Sequence, residues 1–190
     1  MPSKSLQAWR NERRIALDEL EAAHRSVGGT GRGRRYATQQ INQAYAVLLS
    51  SQFQGFCRDL HRECADYLVQ SLTGVLARAF GALLGENRKL DRGNPTPGNV
   101  GSDYNRFGLS FWGAVEKLDV RNENRRKRLE ELNLWRNAIA HQDFSLVAVG
   151  TSTLQLQIVR DWRSACDQLA GCFDRVMRDH LMTVNGVPPW

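Results

Sequence analysis

Residues 38–72 read TQQINQAYAVLLSSQFQGFCRDLHRECADYLVQSL. Within them Ile41, Tyr45, Leu48, Leu49, Gln52, Phe53, Phe56, Leu60, Cys64, Tyr67 and Leu68 recur at spacings of three and four, the period of an α-helix. The stretch predicts one long helix from Thr38 to about Leu72. At about 1.5 Å per residue it runs about 50 Å, enough to be the spine of a bundle, with Gly55 as a place to bend or to admit a close neighbour.

On the C-terminal side, helical character resumes from Val75 to Leu84. Gly93-Asn94-Pro95-Thr96-Pro97-Gly98-Asn99 then breaks the pattern, because proline removes a donor and restricts the residue before it while Gly and Asn favour turns. The whole of Asn87 to Asp103 is expected as the longest loop, lying over a substrate or a partner copy. Phe111 to Leu118 reads as a short helix, with Asp119 able to cap the next. From Leu146 to Gln157, alternation of Val147, Val149, Leu154 and Leu156 around Gly150-Thr151-Ser152-Thr153 predicts a short β-hairpin or an extended excursion. Ile158, Trp162, Ala165, Cys166, Leu169, Phe173, Val176 and Met177 mark a last helix to about Leu181, and Trp190 is expected to dock on the body.

On the N-terminal side, residues 5–26 carry Leu6, Trp9, Leu17 and Leu20 at helical intervals, giving an arm or first helix. Gly28, Gly29, Gly31 and Gly33 end it, interleaved with Arg32, Arg34 and Arg35. A phosphate loop needs Lys and Ser or Thr after its last glycine, so a flexible basic hinge is the better reading. The division expected is therefore residues 1–35 as N-terminal helix and hinge, and 36–190 as an all-α helical bundle with one long loop and a short hairpin before the last helix.

With 190 residues and 42% hydrophobic content, the chain has room for one well-buried domain. No run approaches the roughly eighteen apolar residues of a membrane span, and the first residues lack the apolar centre of a signal peptide. A soluble, cytoplasmic protein with no membrane partner is expected. The net charge is +6, and 22 of the 26 basic residues are arginine, which suits planar phosphate recognition but is also what GC-rich coding produces. Cys57, Cys64, Cys166 and Cys172 form no close pairs of the zinc-binding kind. Cys57, His61 and Cys64 share a helical face but lack a fourth ligand, so buried thiols are expected, and no metal or other cofactor.

The chemistry-bearing stretch is Leu129 to Phe144. Leu132, Trp135 and Ile139 fall on one stripe with Leu129 at its margin, the pattern of a helix packed on a core. Asn137 and His141 lie on a second face, and beside them sits Leu134, an apolar residue where a solvated side is due. Arg136 lies about 140° around from His141, so only the length of its side chain or a partner surface can bring the two together. Arg125, Arg126, Lys127 and Arg128, following Arg121, crowd the start of this helix against its dipole, which marks either a solvated face or a phosphate-binding patch.

Arg136-Asn137-Ala138-Ile139-Ala140-His141, an Arg-x4-His spacing near the end of a late helix in an all-helical chain, resembles the signature of the HEPN superfamily. Many of its members are dimeric, metal-independent ribonucleases. The resemblance implies a HEPN-type bundle in which Arg136 and His141 are the catalytic pair and Asn137 the supporting residue. It also implies RNA as substrate, a toxin–antitoxin or other defence setting, and a nucleotidyltransferase-type protein as antitoxin. An imidazole titrates near neutrality and can move a proton to or from the 2′-hydroxyl or the leaving 5′-oxygen, while a guanidinium can hold two phosphoryl oxygens. One His cannot easily serve as both acid and base, so a homodimer apposing the Leu134 faces is expected to complete the site. The alternatives are a non-catalytic HEPN-like module that binds a nucleotide or a protein, and a plain nucleic-acid-binding bundle.

Overall fold

The computed structural model describes residues 1–28, 35–145, 147 and 153–190. Helix α1 (Lys4–Ala8) runs through a π-helical turn (Trp9–Arg13) into α2 (Arg14–Gly28). The spine is α3 (Arg35–Val69), followed by α4 (Gly74–Gly85), a 3₁₀ turn (Lys89–Asp91), α5 (Pro97–Tyr104) and a second 3₁₀ turn (Asn105–Phe107). The chain is completed by α6 (Phe111–Leu118), α7 (Asn122–His141) and α8 (Leu156–Asn185). Among the described residues there is no strand, so the fold is all-α, as the periodicities require.

The first helix starts where its free amides find acceptors. Ser3 Oγ accepts from the Leu6 amide at 3.0 Å, and Glu63 on α3 accepts from the amides of Lys4 and Ser5, each at 3.0 Å. Leu6, Trp9 and Leu17 are buried in the same core as α3, so the first 28 residues share the hydrophobic core of the bundle. The close neighbour of Gly55 is Arg13, whose guanidinium reaches across to Gln52 and Asp59. A Cβ at Gly55 would collide with Arg13 Nη1.

Around α3 pack α1 and α2, α7 and α8, with α6 over α8. The centre is aromatic. Phe53 lies edge-on to Trp9 at 5.6 Å, and Tyr104 stacks on Phe111 at 4.3 Å, with Phe173 meeting Phe111 at 4.8 Å. Cys57, Cys64 and Cys166 are free thiols buried in this core, and burial pushes each well above its ordinary pKa. His61, between Cys57 and Cys64, is buried as well. Its Nε2 lies 3.2 Å from the Asp103 carbonyl, and its ring packs on Phe107 at 4.7 Å. Trp190 is half-buried against the core.

The structure differs from the sequence reading between Asn87 and Asp103. Thr96 is a helix cap, its Oγ1 accepting from the Asn99 amide at 3.2 Å, and Pro97 occupies the first turn of α5. Both residues have the signature of a breaker, yet here they start a helix, the one place where proline is favoured. The irregular backbone is thereby reduced to short stretches around the 3₁₀ turn. The Gly/Arg hinge over residues 29–34 and half of the expected hairpin, residues 146 and 148–152, lie outside the described residues. Leu156, expected in the hairpin, is the first residue of α8.

Candidate functional site at the end of α7

Helix α7 is held by its apolar stripe. Leu129 and Leu132 are fully buried, and Trp135 lies between Trp162 at 6.3 Å and Phe144 at 6.1 Å between ring centroids. That seating turns the opposite side of the last two turns outward.

Two buried polar contacts fix what lies next to that side. Asn133 donates from Nδ2 to the Pro95 carbonyl at 3.1 Å, and its Oδ1 accepts from the Ser50 hydroxyl at 3.2 Å. Gln54 on α3 holds the same segment by donating to the Leu90 and Gly93 carbonyls at 2.6 and 2.9 Å. The segment Gly93–Pro97 is therefore pinned against α7. From it Asn94 Nδ2 donates to Asn137 Oδ1 in a short hydrogen bond. What packs beside Asn137 is thus a piece of the same chain.

Asn137 Oδ1 accepts a second, longer contact of 3.4 Å from Arg136 Nη1. The long Arg136 side chain has swung from the margin of the core stripe towards the face that Asn137 and His141 share. With Oδ1 engaged by two donors, the Asn137 amide presents its Nδ2–H₂ as a donor. His141 is the last residue of α7 and is exposed. The helix ends there because Gln142 takes the left-handed conformation at φ 54°, with the Gln142 amide donating to the Ile139 carbonyl and the Asp143 amide to the Ala138 carbonyl. Asp143, just beyond, is held below the usual carboxylate range by the backbone and hydroxyl of Ser145 and by the proximity of His141.

The arginines of α7 are not alike. Arg125 is half-buried, bonded to Asp119 at 2.8 Å and Asn122 at 2.6 Å. Arg126 pairs with Glu116 at 2.7 Å and lies over the Trp112 ring. Lys127 pairs with Glu123 at 2.8 Å and Arg128 with Glu131 at 3.1 Å. Arg121 meets Asp119 at 3.0 Å, and its side chain, its backbone amide and Arg125 together hold that carboxyl far below its ordinary range. The repulsion expected of this cluster is thus offset by interleaved carboxylates. Arg136, by contrast, makes no ion pair among the described residues. Glu131, the acid that precedes it most closely in the helix, is taken by Arg128 and by the Trp162 indole at 3.2 Å.

Leu134 is 38% exposed, on the outward side of the helix. Asn94 and Asn133 were missed by the sequence reading. The local signal for Asn133 is the i, i+4, i+8 run of polar side chains Asn133, Asn137 and His141 on a helix otherwise seated by apolar residues; Asn94, on another segment, has no such signal. Among the described residues, no group of three or more potential metal ligands converges anywhere. No helix is long and apolar enough to cross a membrane. No protein-family model, no curated protein and no solved structure matches the chain.

Proposed function

We propose that this protein is a metal-independent endoribonuclease acting on single-stranded RNA, with Arg136, Asn137 and His141 as its catalytic face. The observation that carries the proposal is the contrast along α7: its other arginines and its lysine are committed to carboxylates, whereas among the described residues Arg136 has none and contacts Asn137, on the helix that ends in an exposed His141. A half-buried arginine and a half-buried amide on the helix that ends in an exposed imidazole can bind a phosphate and move a proton.

In this reaction the 2′-oxygen attacks phosphorus while the P–O5′ bond breaks. One His takes the 2′-hydroxyl proton, a second protonates the leaving 5′-oxygen, and Arg136 carries the charge that builds on the phosphoryl oxygens. The second His comes from a second copy apposed at Leu134, so the working unit is a homodimer. The paired cations Arg125, Arg126, Lys127 and Arg128 exchange their carboxylates for phosphates, most readily Lys127 and Arg128, because exposed ion pairs are worth little. A toxin–antitoxin or other defence role, with a nucleotidyltransferase-type antitoxin, rests on the resemblance to HEPN ribonucleases alone.

The test is incubation with single-stranded RNA and with DNA of the same sequence, in excess EDTA. RNA cleavage leaving 2′,3′-cyclic phosphate and 5′-hydroxyl ends is expected, with DNA intact. Cleavage that EDTA abolishes, or that consumes DNA equally, contradicts the proposal.

A further inference from the structure

Most of the large apolar side chains left exposed among the described residues are distributed singly or at helix ends, but α4 carries four of them: Val75 at 71%, Leu76 at 61%, Phe80 at 45% and Leu83 at 63%. At about 100° per residue these four and the exposed Ala79 fall within an arc of about 140°. Leu84, buried, is the side chain that seats the helix on the body. Arg78 is the one charged residue of α4. A helix face this apolar is not a solvated face, and nothing among the described residues covers it.

We propose that this face is a self-association surface on which two copies of the chain pack α4 against α4 in antiparallel fashion across a two-fold axis. The contact goes beyond the Leu134 pairing and is separate from it: α7 meets α3 at Ser50, whereas α4 follows the far end of α3 at Val69. Two features select a second copy as the occupant. First, an isologous contact lays a patch on itself, and an uncharged apolar stripe is self-complementary where a charged one would repel. The helix's one charged residue, Arg78, lies outside the apolar arc, so laying the stripe on itself brings no like charges face to face. Second, the four exposed side chains present roughly 400 Å² per chain, and two-fold pairing with its rim approaches the ~1,200 Å² at which specific interfaces begin.

The experiment is light scattering of the full chain over a range of concentrations, comparing wild type with Val75→Glu/Leu83→Glu. Both positions are largely exposed, so the variant keeps its helical circular-dichroism spectrum. Its mass is expected to fall by a factor of two, and Leu134→Asp, acting on α7, is not expected to break the α4 pairing. As a measurement independent of those variants, Ala79→Cys at the centre of the stripe should oxidise to a disulfide-linked dimer, and Gln157→Cys, exposed on α8, should not. An unchanged mass for Val75→Glu/Leu83→Glu, or no cross-link through Ala79→Cys, overturns the proposal. Neither result bears on RNA cleavage, since none of these residues lies on the Arg136–His141 face.

Discussion

Arg125 and Arg136 stand eleven positions apart on one helix in opposite circumstances. Arg125 is bonded to Asp119 and Asn122, whereas among the described residues Arg136 meets only an amide oxygen, at 3.4 Å. A guanidinium held by a carboxylate must give that partner up before it can bind phosphate; one held by a weak amide contact need not. Buried His61 is the residue most exposed to pH. Burial, and secondly the charge of Arg88, push its pKa down from 6.5 to about 4, outweighing the Asp103 carbonyl that favours the charged ring. Its Nδ1 is buried without a partner. The unfolded chain therefore takes up a proton below pH 6.5 that the folded chain takes up only near pH 4. The stability due to a neutral His61 is full above pH 6.5 and is lost as pH falls towards 4, about 3 kcal/mol over the whole window. Urea unfolding at pH 7.5 and pH 4.5 should show that loss in the wild type and a smaller one in His61→Gln. Equal pH dependence in both would show that the imidazole is not its source.

At the scale of elements, the Arg136–His141 face depends on how the segment between the 3₁₀ turn and α5 is fastened to α7. Asn133→Ala removes the donor to Pro95 and the acceptor for Ser50, leaving buried polar groups unpaired at a cost of about 1–3 kcal/mol. A lower unfolding midpoint is expected, together with faster amide exchange across residues 93–97. A variant as stable and as protected as wild type would mean that Gln54 alone holds the segment. The cationic first turns of α7 make a separate expectation. Charge reversal at Arg125 and Arg126 should flatten the fall of RNA affinity with salt by about one unit of slope for each phosphate that the variant no longer neutralises, whereas a contribution confined to local ion pairs leaves the slope unchanged.

This scale also shows what sequence can carry. The long helix α3 was legible because its apolar period persists over the whole spine, and the Arg136–His141 spacing because it is local. The ends of α5 were not, since a proline inside a polar stretch reads as a break until the Thr96 cap is seen to precede it. The Asn94–Asn137 and Asn133–Pro95 contacts join residues about forty positions apart, and no local period encodes such a pairing.

For the whole molecule, α3 organises the protein: α1 and α2 pack on it, α7 and α8 complete the core, and the Arg136–His141 face and the α4 face are set on different parts of its length. A rigid aromatic centre around Phe53, Tyr104, Phe111 and Phe173 keeps those two surfaces in fixed relation. Substituting exposed residues on either face therefore leaves the core untouched, which makes the central claim directly measurable. The decisive measurement is the rate of RNA cleavage in EDTA by wild type, His141→Ala and Arg136→Lys, each shown to retain its fold and its mass. His141→Ala is expected to lose roughly two to four orders of magnitude, the worth of a positioned proton-transfer group, and Arg136→Lys to be poor because an ammonium cannot reproduce the fork. Cleavage by His141→Ala at the wild-type rate would contradict the assignment of this face as a ribonuclease site.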